Sequence, residues 1–395
     1  MSLDLKLRWL ACPSVIKQIS RPLLCRFLSR HRRFLARHGV RVSRNGFDED
    51  GLICVLAAPP RDMPPTLLNA LAFVDEMAGP DTFDQLVELA ESLGLRVREH
   101  TTPADVALRV WLADPSELEA RHALHLVRRG KTFRIFRGKG SGFCPLPPVT
   151  RENLMAMETD LNEWFHTLRR GRGTRVYVFE RDDAKWFLVR RGEPCVRLGS
   201  LETGQSVPIH YRPERFDLVL YNPRFGSIGV CCDPPRATDA YCRVLGRYLF
   251  RDDEYFKTDL HGHPFSLAPI TEQGRACLAC SDVDGIDRVR LIELEARGES
   301  GQFHTDLCKA DDVFRVVEEA HRRLPAPTSF RRGRFAILFS DDPVEQHLTI
   351  QLPNIVTMDH GLNIKLIEQW MWLRRFICPP VIRQDANASG VLEVS

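Results

Sequence analysis

Two pairs of short apolar segments in the middle of the chain each close on a tight polar turn. They commit this part of the sequence to antiparallel sheet. Residues 175–180 and 185–190 flank Asp182-Asp183, and residues 216–221 and 227–232 flank 222–226, which ends in Gly226. Asp and Gly tolerate the backbone angles of a reversal, and apolar residues on either side supply strands that pair across it. Further strands are expected at 288–295, 335–340 and 347–352, alternating with helices at 310–324 and 362–376.

The first half has a different period. Ser20 and Pro22 open a helix that Gly39 closes, because proline suits the first turn and glycine the position just past the last. Leu24, Phe27, Leu28, Phe34 and Leu35 make its apolar face, and Arg26, Arg30, Arg33 and Arg37 recur at steps of four, three and four on another. An apolar run at 52–58 and a loop rich in proline follow, then helical patterns at 66–78, 82–93 and 116–129. Residues 131–148 read as a strand, a loop and a boundary; helices are expected again at 151–170 and 238–250. The fold class is therefore α+β: a helical N-terminal half, then mixed, largely antiparallel sheet units with packed helices. The expected divisions are a basic segment at 1–45, a mainly helical domain at 46–148 and α+β domains at 149–272 and 273–383. A disordered tail is expected at 384–395. At 395 residues the chain is too long for one ordinary core.

Charge separates the first segment from the rest. Residues 1–44 hold eleven Lys or Arg against Asp4 alone. The remaining 44 basic and 51 acidic residues sum to −7 within a total of +3. A basic end on a mildly acidic body suits an anion: nucleic acid, an anionic membrane or an acidic protein face. No apolar run approaches membrane-spanning length, and no clean apolar region precedes a signal-cleavage site. The twelve cysteines sit mostly in apolar runs (Cys25, Cys54, Cys231, Cys242, Cys378), which reads as reduced, buried thiols of a cytoplasmic protein.

One constellation has metal-ligand spacing. His261-x-His263 and Cys277-x-x-Cys280 are two close pairs separated by a loop, as tetrahedral zinc requires. Their order matches no common zinc ribbon, and Ala276, Leu278 and Ala279 make the cysteine pair look like core. Two half-buried thiols beside a histidine-bearing loop is the favoured reading, with zinc as the alternative and no other cofactor expected. Gly130-Lys131-Thr132 lacks the glycine of a phosphate loop, since position 125 is His125.

Arg26-x4-His31, Arg32-x5-His38 and Arg33-x4-His38 share the Arg–His spacing of HEPN ribonucleases, a resemblance confined to this one helix. Asp217 on the second hairpin resembles the metal-binding Asp of restriction-type nucleases. The partner strand has Val230, Cys231 and Cys232 where Glu and Lys should stand, so the metal would have no cage and Asp217 reads as a strand-start residue. Arg190, Arg191, Arg212, Arg215, Arg331, Arg332 and Arg334 interleave with Trp186, Phe187, Tyr211, Phe216, Phe330 and Phe335. That pattern suits phosphate contact with base stacking, and equally a half-buried sheet face.

No catalytic constellation is complete. The expectation is a non-catalytic nucleic-acid-binding subunit of a larger assembly, meeting DNA or RNA through Arg26, Arg30, Arg33, Arg37 and Arg41, with a protein partner. The alternatives are a scaffold docking on an acidic partner and a metal-dependent or HEPN-like nuclease.

Overall fold

The computed structural model describes residues 16, 18–43, 46–60, 62–79, 82–98, 101–127, 131–139, 143–181, 183–202, 205–256, 263–297, 305–321, 324, 326–359 and 364–379. The tail expected at 384–395 lies outside them. The chain divides into two compact units, 1–126 and 127–395.

The first unit is helical: α1 (Arg21–Ser29), α2 (Arg32–Arg37), α3 (Glu49–Ala57), α4 (Pro65–Met77), α5 (Phe83–Ser92) and α6 (Pro103–Ala113), with α7 (Pro115–Val127) running to its border. Proline stands in the first turn of α1, α4 and α6, where its missing N–H costs nothing. Asp48 caps α3 through Gly51 N at 3.1 Å, and Thr102 caps α6 through Asp105 N at 3.1 Å. Helix α6 is the centre of the unit. Ala104, Val106, Ala107, Leu108, Val110 and Trp111 are all buried, and the helix packs on α1, α4 and α5. Five successive buried residues, Ala104–Leu108, blur the contrast between its faces, so the sequence did not announce it.

The single helix expected up to Gly39 is two helices. Arg30 N donates to Phe27 O (3.1 Å) and His31 N to Leu28 O (2.9 Å), a tight turn that separates α1 from α2. Like charges at three- and four-residue steps disfavour a continuous helix here. Gly39 does close α2, at φ +81°.

The second unit is built on one antiparallel sheet of ten strands, ordered β2-β3-β6-β7-β1-β12-β11-β10-β8-β9. The strands are β1 (Lys131–Arg137), β2 (Arg175–Arg181), β3 (Ala184–Gly192), β6 (Glu214–Asn222), β7 (Ser227–Cys231), β8 (Ile286–Arg297), β9 (Thr305–Lys309), β10 (Phe330–Phe339), β11 (Asp342–Gln351) and β12 (Ile355–Met358). Both expected hairpins are present as β2–β3 and β6–β7. Strand β1 is the seam: Arg134 pairs with Val230 on one side and Ile355 on the other. Segments 149–272 and 273–383 thus share one sheet. The buried Arg137 ties β1 to the later chain by donating to the carbonyls of Pro379 (2.8 Å), Cys378 and Pro264 (3.5 Å).

Helices α8 (Arg151–Thr167) and α9 (Ala237–Phe250) cover one face. Met157, Leu161, Phe165, Tyr241 and Leu245 pack on Phe187, Val189, Val219 and Tyr221. On the other face α12 (Ile364–Leu373) sets Ile367 and Met371 over Leu220, Ile135 and Val356, leaving a pocket of about 60 Å³. Two short helices, α10 (Pro269–Glu272) and α11 (Val313–Glu319), complete the unit. A separate two-stranded sheet joins β4 (Val196–Glu202) to β5 (Gln205–Tyr211), with Gly199 opposite Pro208. Glycine and proline inside its strands hid it from the pattern reading.

Candidate nucleic-acid interface

The basic helices are anchored from inside. Leu24, Phe27 and Leu28 of α1 and Phe34 and Leu35 of α2 are buried in the core of the first unit, which places the intervening residues outward. Arg26, Arg30, Arg32, Arg33, Arg37 and Arg41 are all exposed. Arg37 meets Asp62 at 3.3 Å with both side chains mostly in water, a pair worth little. Arg26, Arg30, Arg32, Arg33 and Arg41 have no carboxylate partner among the described residues. With no carboxylate beside them among the described residues, these charges meet the condition under which a polyanion binds by releasing counterions. Arg21 lies 5.5 Å from the Phe47 ring centroid, a cation–π contact that fixes the start of α1.

The histidines of the Arg–His spacings are otherwise engaged. His31 is half-buried with its ring 5.4 Å from that of Phe27; burial, helped by the neighbouring Arg30 charge, pushes its pKa below the usual imidazole value. His38 Nε2 lies 3.0 Å from Asp62 Oδ1.

Three arginines of the same unit escaped the sequence reading. Arg96, Arg98 and Arg109 line an open cleft of about 850 Å³ with Glu91, and Arg109 donates to Arg96 O at 3.3 Å. Arg109 belongs to α6, which the sequence pattern did not reveal, so nothing local in the sequence joined it to the other two.

Asp217 is neither a metal ligand in waiting nor a strand-start residue. It is 3% exposed, and its carboxylate accepts from Arg191 Nε (2.5 Å), Arg191 Nη2 (3.0 Å) and the Tyr241 hydroxyl (2.6 Å). Burial pushes its carboxyl up, opposed by Arg191 and Tyr241; the guanidinium is held above its ordinary range by the carboxylates of Asp217 and Glu193. The arrangement is a buried ion pair with its lone pairs occupied. Of the aromatic residues interleaved with arginine, Trp186, Phe187, Phe330 and Phe335 are buried in the sheet, and Arg332 pairs with Glu293 and Glu295.

Of the zinc candidates, Cys277 is buried in a 3-10 turn (Gly274–Leu278), and burial pushes its thiol up to about 12. Cys280 is half-buried and also raised by burial, His263 is exposed, and His261 lies outside the described residues. Among the described residues no three His, Cys, Asp or Glu side chains gather around a point that could hold a metal ion. The eleven described cysteines are free thiols, and Cys54, expected to be buried, is exposed on α3. No described helix is long and apolar enough to cross a membrane. No family model matches this sequence, and comparison with the curated proteins returned no match.

Proposed function

We propose that this chain binds nucleic acid, DNA or RNA, through Arg26, Arg30, Arg33, Arg37 and Arg41, as a non-catalytic subunit of a larger assembly. One observation carries the reading. Arg26, Arg30, Arg32, Arg33 and Arg41 are exposed and have no carboxylate beside them among the described residues. Surface arginines of the second unit, such as Arg175, Arg247, Arg275, Arg288 and Arg315, have carboxylates beside them. Leaving a cluster open favours an external polyanion.

The test is a salt series of fluorescence anisotropy with short DNA and RNA, on the wild type and on a variant with Arg26, Arg30, Arg33 and Arg37 changed to Gln. Exposed charges contribute little to stability, so the variant should fold. The logarithm of the wild-type binding constant should fall linearly with log salt, and losing four phosphate contacts should flatten that slope by about 3–4. Absence of binding at low salt, or an unchanged slope in the variant, would overturn the proposal and leave an acidic protein as the partner these arginines suit.

A further inference from the structure

Arginines of the second unit converge on an open cleft of about 360 Å³. Its walls are residues 170–173 leaving α8, residues 190–192 ending β3, and residues 212–214 leading from β5 into the start of β6. Its floor is glycine. Gly171 takes φ +82°, a conformation that side chains disfavour. The Arg212 side chain lies across this floor. A Cβ on Gly171 would stand 2.9 Å from Arg212 Nε, and one on Gly192 would stand 2.6 Å from Arg212 Cδ and 2.5 Å from Arg170 O. Two bare backbone positions are what let the guanidinium rest there.

Arg212 is held without being neutralised. Its Nη1 donates to the carbonyls of Arg169 (2.5 Å) and Glu193 (2.7 Å), while Nε and Nη2 make no hydrogen bond to a described residue. Those two nitrogens form the fork with which arginine grips a tetrahedral oxyanion. Arg172, across the Gly171 turn, pairs with Glu163 at 3.0 Å in an exposed contact that a stronger anion can displace. Deeper in, Arg170 and Arg191 share Glu193 at 2.8 and 2.6 Å. Around the cleft Arg170, Arg172, Arg190, Arg191, Arg212 and Arg215 stand against Glu163, Glu193, Glu214 and Asp217, an excess of two positive charges.

We infer that this cleft is a phosphate site that takes a dianionic phosphate group, with Arg212 as the bidentate donor and Arg172 closing on the exposed side. The excess charge matches a dianion. The rigid element is Arg212, pinned by two carbonyls over two glycines; the adaptable one is Arg172. The inference does not rest on the proposed role of α1 and α2, whose arginines belong to the other unit.

Calorimetric titration of the full chain with inorganic phosphate and with pyrophosphate, at low salt, tests it. Wild type should bind pyrophosphate with a submillimolar dissociation constant. Arg212→Gln should weaken binding by at least about tenfold, the value of a lost bidentate charge-assisted contact. Arg172→Gln should weaken it several-fold, and the α1–α2 glutamine variant should bind as wild type does. Because Arg212→Gln also removes two hydrogen bonds to carbonyls, circular dichroism accompanies it, and the exposed Arg172→Gln carries the test if folding suffers. No pyrophosphate binding by wild type at millimolar concentration overturns the inference, as does undiminished binding in Arg172→Gln together with a folded Arg212→Gln. Short single-stranded DNA with and without a 5′-phosphate, tested in the α1–α2 variant background, identifies the source of the dianion. A 5′-phosphate preference abolished by Arg212→Gln assigns the site to a nucleic-acid end; pyrophosphate binding without that preference assigns it to a small phosphorylated molecule.

Discussion

Arg191 on β3 and Asp217 on β6 face each other diagonally across the sheet and join in two hydrogen bonds, 2.5 and 3.0 Å, with both side chains almost wholly buried. Tyr241 reaches the same carboxylate from α9, so this ion pair fastens a covering helix to the sheet. Removing Asp217 takes the bidentate partner from a buried guanidinium, which keeps only Glu193 and the Asp233 carbonyl, and leaves the Tyr241 hydroxyl without its acceptor. Asp217→Ala should therefore destabilise the second unit by about 3–5 kcal/mol, and Tyr241→Phe by about 1.5–3 kcal/mol. Urea denaturation reads both values. A loss below about 1 kcal/mol for Asp217→Ala would show that Glu193 and the Asp233 carbonyl suffice to hold the Arg191 charge.

The basic helices should depend on their apolar side and be indifferent to single charges. Leu28 is fully buried, and Leu28→Ala should cost about 2–5 kcal/mol. Arg33→Gln, on the exposed side, should stay within about 0.5 kcal/mol. Thermal denaturation of the two variants checks the contrast, and comparable losses would mean that Arg33 has a structural partner.

Thiol reactivity should follow burial. Cys54 and Cys195 are exposed, whereas burial pushes the Cys232 and Cys277 thiols up to about 12 and Cys242 higher still. Iodoacetamide labelling near pH 8 without denaturant should modify Cys54 and Cys195 first and leave Cys242 and Cys277 untouched. Labelling of Cys277 as fast as Cys54 would contradict the packing around the 3-10 turn.

Asp312 should tie stability to acidity. It caps α11 through Arg315 N at 3.2 Å and accepts from Arg275 Nη1 at 2.8 Å. Burial alone would raise its carboxyl, but the Arg275 bond and the backbone donors outweigh it and hold the pKa below 3.8. With the folded pKa below the unfolded one, the stabilisation is complete above the unfolded pKa and is lost as pH falls through the folded one. Asp312→Ala should cost about 1–2 kcal/mol at pH 7, and its deficit against wild type should shrink below pH 3.8. Urea midpoints from pH 7 downward would show it; a deficit that grows on acidification would refute it.

What the sequence determined by itself was local. The hairpins β2–β3 and β6–β7 were legible because a strand pair and its turn are encoded within about twenty residues; Asp183, at φ +62°, sits in the reversal where aspartate is tolerated. Gly39 ended its helix as its position implied, and the basic, exposed character of α1 and α2 followed from their own residues. Tertiary structure decided what local pattern does not carry. Helix α6 is obscured by five successive buried residues, Ala104–Leu108, and β4–β5 is masked by Gly199 and Pro208. Strand β1 finds Val230 and Ile355 by pairing across long stretches of chain, so it unites segments that read as separate domains. The same holds for chemistry. Arg191, Asp217 and Tyr241 are unremarkable in sequence and become one buried ion pair. Arg172 and Arg212 become one cleft, because only packing brings the end of a helix, the end of a strand and a turn to the same point.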